Sequence, residues 1–270
     1  GAFVGHALTS HFTLPPVIVT LPPLTVVNTN RLFCSYTDNI ETRVDFPEGH
    51  VEAGTFYVGG SSRGGHFTSG PNAFISVSKF HIGDQGYAAP RALYEMNGST
   101  LEIGADGMAS QYAPLGTFAV FNGGTIRAKA DFSTGWGFCG IFGNDTSAPP
   151  LVFDVGDHTV YYRSGLGGKG VVNVKGDGCF FTTKPFQNSD LYQDYAEGKW
   201  YANALTNDFS GASAFGNGLE VGAGKFARLC IRNEELCEFA QYGTTDYNTI
   251  ANSQAPCWQI ANNMNHLNSK

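Results

Sequence analysis

Charged residues are scarce in this chain. Only 14% of its 270 residues are Asp, Glu, Lys or Arg, against about 25% in an average globular domain. The 16 basic and 23 acidic residues give a formal net charge of −7, and no cluster of Lys and Arg is present. Because recognition of phosphates requires a basic surface, the sequence argues against nucleic acid as the main partner.

Long apolar runs and long amphipathic helical patterns are also lacking. No stretch of about 18 apolar residues occurs, so no membrane span is predicted. Glycine is abundant instead, at 35 residues, and 42% of the chain is hydrophobic. This composition is typical of many short strands joined by tight turns. We therefore expect an all-β fold with a packed core.

Several motifs of metal and phosphate binding are absent. The chain has no C-x-x-C pair, no H-x-x-x-H spacing and no P-loop. A zinc finger and a nucleotide-binding loop are therefore not expected. The sequence predicts no cofactor, with Ca²⁺ as the alternative considered below.

Cysteines are few but even in number. The six positions are Cys34, Cys139, Cys179, Cys230, Cys237 and Cys257. In a Gly-rich chain of low charge, an even count favours disulfides and a location outside the cytosol, either extracellular or on the cell surface. The sequence does not choose among the pairings, and buried free thiols are the alternative.

The first 27 residues contain two similar segments, LPPVIVT at 14–20 and LPPLTVV at 21–27. Their prolines disfavour both a helix and a central strand, which predicts an extended arm over residues 1–27. The arm packs on its own domain or adds as a strand to a neighbouring subunit. Its apolar residues are Leu14, Val17, Ile18, Val19, Leu21, Leu24, Val26 and Val27.

Residues 28–181 show internal repetition. Tyr57-Val58-Gly59 recurs as His81-Ile82-Gly83 and as Glu102-Ile103-Gly104, and NGSTL at 97–101 recurs as NGGTI at 122–126. Short strands repeated every 20–25 residues or so are typical of a β-solenoid. The recurrence also indicates that Asn97, which begins a glycosylation sequon, is a turn residue.

Alternation within these repeats predicts which side chains face the core. Leu101 and Ile103 should point inward and Glu102 outward, since successive side chains of a strand point to opposite faces. In the next repeat, Ile126 should likewise point inward and Arg127 outward.

A Gly-rich pattern over residues 166–180, together with NGSTLEIG and NGGTIRA, resembles the autotransporter-associated β-strand repeats of secreted surface proteins from Gram-negative bacteria. The resemblance covers about residues 54–181. It implies a right-handed parallel β-helix that is exported and displayed, and it assigns no catalytic residue.

Residues 182–270 repeat less and have a polar, Asn-rich end. They are interpreted as an irregular β region and a C-terminal cap, which a solenoid needs to cover its open edge. The predicted fold is thus a β-solenoid with an extended N-terminal arm and a C-terminal cap. A β-sandwich or jelly roll is the alternative.

Two groups of polar residues are candidates for chemistry. Asp157, His158 and Arg163 form the alternative catalytic set, because a polysaccharide lyase needs a base and a cation. Asp84 and Asp106 follow glycines in two repeats and form the alternative Ca²⁺ set. In both cases the simpler interpretation is a turn, since Asp is a common turn residue.

The function predicted from these features is that of a structural or adhesive β-solenoid outside the cell or on its surface. Its expected partners are further copies of itself, through the N-terminal arm in a filament, or a cell-surface glycan. The alternative is a β-helix enzyme that processes polysaccharides.

Overall fold

The computed structural model describes residues 2–4, 17–34, 42–59, 65–83, 92–110, 118–135, 138, 140–163, 166–182, 195–196, 198–209, 214–215, 219–230, 237–239, 244–247 and 257–261. These residues form strands joined by turns, with no helix among them. Leu14, Asp84 and Cys139 from the sequence predictions lie outside them.

The strands follow one another in chain order. The first eight are β1 Ala2–Val4, β2 Val17–Thr20, β3 Leu24–Cys34, β4 Thr42–Val58, β5 Gly65–Ile82, β6 Leu93–Met96, β7 Thr100–Ser110 and β8 Phe118–Phe121. The next seven are β9 Gly124–Ala128, β10 Phe132–Ser133, β11 Gly140–Phe142, β12 Leu151–Gly156, β13 Thr159–Tyr162, β14 Leu166–Gly167 and β15 Val172–Thr182. The last eight are β16 Tyr195–Ala196, β17 Trp200–Phe209, β18 Ala214–Phe215, β19 Leu219–Val221, β20 Phe226–Cys230, β21 Cys237–Phe239, β22 Thr244–Tyr247 and β23 Cys257–Ala261.

Parallel pairing stacks successive turns of the chain in three ladders. Ladder A joins residues 42–46, 65–69, 93–96, 118–121 and 140–142. Ladder B joins residues 49–53, 73–77, 100–103, 125–128, 151–154, 172–176 and 200–204. Ladder C joins residues 55–58, 79–82, 107–110, 132–134, 159–162, 179–182 and 206–209.

Long strands such as β4 and β5 run through all three ladders, and their register shifts at the corners. The predicted β-solenoid is therefore confirmed. A β-sandwich, built from antiparallel sheets, does not describe these parallel ladders.

The core is a continuous stack of aromatic side chains inside the coil. Phe67 contacts Tyr94, Tyr94 contacts Phe121, and Phe121 contacts Phe142, with ring centroids 5.6–6.4 Å apart. Phe142 in turn packs edge-on against Trp200 at 5.2 Å. Each of these rings is almost fully buried. Because each turn buries its apolar face only against its neighbours, this stack holds the turns together.

Inward and outward residues alternate as the repeats predict. Leu101, Ile103 and Ile126 are fully buried, whereas Glu102 is partly exposed and Arg127 is exposed. Of the NGST motif, Ser99 is also buried, and its hydroxyl lies 2.7 Å from that of Ser69. These predictions of side-chain direction are confirmed.

The two ends of the coil differ in their pairing. At the N-terminal end, β2 and β3 pair in parallel with β4 of the same chain. The boundary predicted between the arm and the repeats, directly after Val27, lies inside strand β3. At the other end, β22 and β23 pair antiparallel with β19 and β20.

Glycine at position 124 offers a test of the coil's turns. Gly124 has a φ of 90°, and a Cβ there would meet the carbonyl oxygen of Ser99 on the preceding turn. We expect Gly124→Ala to lower the free energy of unfolding by at least about 1–2 kcal/mol, because an L residue is strained in this region. Chemical denaturation measures the change.

Gly135→Ala is the matched control. Among the described residues, the nearest atom to its added Cβ would lie 3.6 Å away, and its φ is not in the left-handed range. It should alter the free energy of unfolding by less than about 0.5 kcal/mol. Equal destabilisation by the two substitutions would contradict the turn geometry.

Candidate functional site on the outer side of ladder B

A row of polar side chains runs along the outer side of ladder B. The register places one residue from each of seven successive turns in this row: Glu52, Ser76, Glu102, Arg127, Asp154, Lys175 and Asn203. We call it the ladder B row. Because adjacent strands lie about 4.7–4.9 Å apart, neighbouring residues of the row lie directly above and below one another.

Charges of opposite sign alternate along the middle of the ladder B row. Arg127 Nη1 lies 2.9 Å from Glu102 Oε1, and Arg127 Nε lies 3.8 Å from Asp154 Oδ2. Lys175 Nζ lies 3.5 Å from the same Asp154 oxygen. The two carboxylates are less exposed than the two cations. The two carboxylates and two cations in the middle of the row thus neutralise each other.

An open polar cleft lies where ladder B turns the corner towards ladder C. Its volume is about 480 Å³. We call it the corner cleft, and its lining residues are Glu52, Ala53, Gly54, Ser76, Val77, Ser78, Gly104 and Lys129. The cleft crosses successive turns of the coil, so a ligand that occupied it would lie across the strands.

Contacts between turns hold the polar groups of the corner cleft in place. Lys129 Nζ donates a hydrogen bond to Ser76 Oγ at 2.7 Å and lies 3.9 Å from a carboxylate oxygen of Glu102. The Ser78 hydroxyl donates to Asp106 Oδ2 at 2.6 Å. Contacts between turns therefore hold Lys129, Ser76 and Ser78 of the cleft, and Glu52 adds a carboxylate to its lining.

The predicted catalytic set is spread over a strand. His158 lies at a corner, with Nε2 3.3 Å from Asp157 Oδ1 and Nδ1 3.8 Å from Asp131 Oδ1. Arg163 follows the far end of β13, whose four residues separate it from His158. At about 3.3 Å per residue, the two Cα atoms are ~16 Å apart. The structure brings Asp157 and His158 together but not Arg163.

The predicted Ca²⁺ set is only partly visible. Asp106 is exposed and accepts the hydrogen bond from Ser78, while Asp84 lies outside the described residues. Within the described part of the chain, no three His, Cys, Asp or Glu side chains are grouped as metal ligands would be.

Ladder A carries a polar pair that sequence reasoning missed. His66 Nε2 lies 2.6 Å from Glu95 Oε2 and 3.3 Å from the Thr68 hydroxyl. Alternation along the strand already indicates that His66 and Thr68 share the outer face of β5. Because Thr68 pairs with Glu95 on β6, the carboxylate lies beside the imidazole. A carboxylate that orients an imidazole can support proton transfer.

The disulfide prediction is wrong for two of the six cysteines. Cys34 and Cys179 are free thiols. Cys34 is buried in the core, donates weakly to the His66 carbonyl oxygen at 3.7 Å, and burial raises its pKa to about 12. The alternative of a buried thiol therefore describes Cys34.

A G-x-S-x-G pattern at residues 60–64 was also missed. It lies outside the described residues, between β4 and β5. The nucleophile elbow of hydrolases needs a strand before the serine and a helix after it. Here the next element is strand β5, so the context of an elbow is not met.

His81 is buried on the outer side of ladder C. Among the described residues, neither ring nitrogen has a hydrogen-bond partner, and the ring packs at 5.2 Å from that of Tyr57. Burial, with a smaller contribution from the charge of Lys79, lowers the pKa of His81 to about 4. The imidazole is therefore neutral at physiological pH.

Comparisons with known proteins add no relative. No family model matches the chain, and neither a curated protein nor a solved structure is significantly similar to it. The residues that the structure describes include no helix with the length and hydrophobicity needed to cross a membrane.

Reversing the charge of Arg127 tests the ladder B row. Arg127→Glu would place three carboxylates in succession, whereas Arg127→Gln only removes the attraction. We expect the Glu variant to be less stable than the Gln variant by roughly 1–2 kcal/mol, since like charges directly opposite each other repel. Urea unfolding at low and at molar salt measures the difference, which should shrink as the Debye length falls from ~10 to ~3 Å. A difference independent of salt would contradict an electrostatic cause.

Acid should destabilise the fold through His81. Its pKa of about 4 in the folded chain lies below the ordinary value of 6.5, so the unfolded chain binds more protons between these values. The stability that the neutral imidazole provides is complete above pH 6.5 and is lost as the pH falls towards 4, by up to about 3 kcal/mol. His81→Leu should remove this part of the pH dependence of unfolding. His50→Leu, at a partly exposed histidine, should retain it.

Proposed function

We propose that this chain is a structural or adhesive β-solenoid, outside the cell or on its surface, that binds a hydroxyl-rich glycan along the corner cleft. The observation that carries the proposal is the cleft itself. Lys129, Ser76, Ser78 and Glu52 present donors and acceptors from different turns of the coil on one surface. Side chains held by their neighbours lose little conformational freedom when a ligand binds.

The shape and polarity of the cleft favour a glycan over an apolar small molecule. Pockets for small molecules are mostly apolar and bury most of their ligand. The corner cleft is open, and its lining combines the charged side chains of Glu52 and Lys129 with small residues such as Gly54 and Gly104. Hydroxyl groups of a sugar chain can accept from an ammonium group and donate to a carboxylate.

The ladder B row supports an adhesive role in a second way. Its alternating charges leave the middle of the surface without an excess of either sign. Such a surface attracts neither nucleic acid nor strongly charged polymers over long range. Binding is then decided by short-range hydrogen bonds, which suit a neutral glycan.

A location outside the cell is part of the same proposal. Its support is the resemblance of residues 54–181 to repeats of exported surface proteins. Self-association through residues 1–27 is not part of it, because the strands Val17–Thr20 and Leu24–Cys34 already pair with β4 of their own chain.

Lys129→Ala tests the proposal against a matched control. Lys129 and Lys175 are each about half exposed, and each lies beside a carboxylate of the ladder B row, but only Lys129 lines the cleft. In affinity electrophoresis through gels containing a neutral glucan, a mannan or a polyuronate, we expect the wild-type chain to be retarded by a neutral polymer. Lys129→Ala should weaken that binding about tenfold, or ~1.4 kcal/mol, and Lys175→Ala should not.

Three outcomes would contradict the proposal. The first is a wild-type chain that none of the polymers retards. The second is equal weakening by Lys129→Ala and Lys175→Ala, which would indicate general electrostatic attraction. The third is retardation by the polyuronate alone, which would indicate an acidic ligand.

A further inference from the structure

Two cysteines occupy directly opposite positions at the C-terminal end of the solenoid. Strands β20 and β23 pair antiparallel over five consecutive residue pairs, from Phe226 with Ala261 to Cys230 with Cys257. In the sequence these cysteines are separated by the segment that contains β21 and β22. The fold therefore brings together two thiol-bearing residues that the sequence keeps apart.

The spacing of an antiparallel pair suits a disulfide. Opposite residues have Cα atoms about 4.5 or 5.5 Å apart, depending on whether the pair is hydrogen-bonded, and Cβ atoms about 4.5–5.5 Å apart. A disulfide needs Cα atoms roughly 4.4–6.8 Å apart and Cβ atoms close to 4 Å apart. Both types of pair meet the Cα requirement, and a small shift meets the Cβ requirement.

Other pairings are less compatible with the fold. Cys34, on β3, pairs with Val58 of ladder C, and six successive strand pairings separate Cys34 from Cys179 of that ladder. At about 4.8 Å per pairing, they are ~29 Å apart. Cys237 pairs across β21 and β22 with Tyr247, which is not a cysteine.

We propose that Cys230 and Cys257 form a disulfide that fastens β23 to β20. The two thiols lose two protons and two electrons as the S–S bond forms, and the oxidant is a small-molecule disulfide, which is reduced to two thiols. Strand β20 pairs in parallel with the part of β17 that belongs to ladder C. The bond would hold β23 over an edge that could otherwise pair with another chain. This inference rests on strand register alone and is independent of the glycan proposal.

Peptide mapping of the full chain tests the bond directly. The chain is incubated with oxidised glutathione, alkylated without reductant and digested with trypsin and a Glu-specific protease. Both enzymes are needed, because no Lys or Arg lies between Cys237 and Cys257, whereas Glu238 does. We expect a linked peptide pair that contains Cys230 and Cys257 and that separates on reduction.

Thermal unfolding provides the second measurement. The oxidised chain should melt several degrees above the reduced chain, since a cross-link restricts the unfolded state. Cys230→Ser and Cys257→Ser should each abolish this increase and the linked peptide. Cys179→Ser, at a free thiol on ladder C, should retain both.

Two results would overturn the proposal. One is recovery of Cys230 and Cys257 on separate, alkylated peptides after oxidation. The other is a predominant link from either residue to Cys139 or Cys237. Mapping of the wild-type chain decides between these results and the proposal even where a variant fails to fold.

Discussion

The parallel hydrogen-bonding register between successive turns is the constraint on which the rest of the molecule depends. It places every side chain directly above and below the residue at the same position of the neighbouring turns, about 4.8 Å away. Inside the coil this stacking is favourable for any apolar residue, as the contacts from Phe67 to Tyr94 and from Tyr94 to Phe121 show. Outside the coil it is unfavourable for charged residues of one sign, so the outer rows require a specific solution.

Two solutions occur on the outer surface. The ladder B row alternates its charges, with Arg127 between Glu102 and Asp154. At the turns that precede strands β7 and β9, the stacked side chains are amides. An amide both donates and accepts hydrogen bonds, so it can stack on another amide without repulsion. Asn122 donates to the side-chain oxygen of Asn97 at 3.1 Å, and its own oxygen accepts from the backbone NH of Asn144 at 3.0 Å. The sequon at Asn97 therefore has a structural explanation.

Sequence reasoning succeeded where the repeat is regular and failed where it is not. The step from Thr100 to Thr125 matches the register, so the directions of Glu102 and Arg127 could be predicted. Asp154 and Lys175 join the same row after turns of unequal length, and no fixed period places them there. The contact of Lys129 with Ser76 skips a turn and depends on the shape of a corner. The burial of His81 depends on what packs outside its strand, which alternation does not encode.

Lys129 differs in its surroundings from the charged residues of the ladder B row. Within the row, each of Arg127 and Asp154 is flanked by opposite charges, so their hydrogen-bonding capacity is directed along the row. Lys129 lies one step beyond the strand that carries Arg127, at the corner, and shares Glu102 with it. The ammonium group of Lys129 has more than one N–H donor, and one of them donates a hydrogen bond to Ser76. Charge compensation along the row therefore does not need a regular period, since Asp154 and Lys175 take part in it after turns of unequal length, whereas the contact of Lys129 with Ser76 arises at a corner.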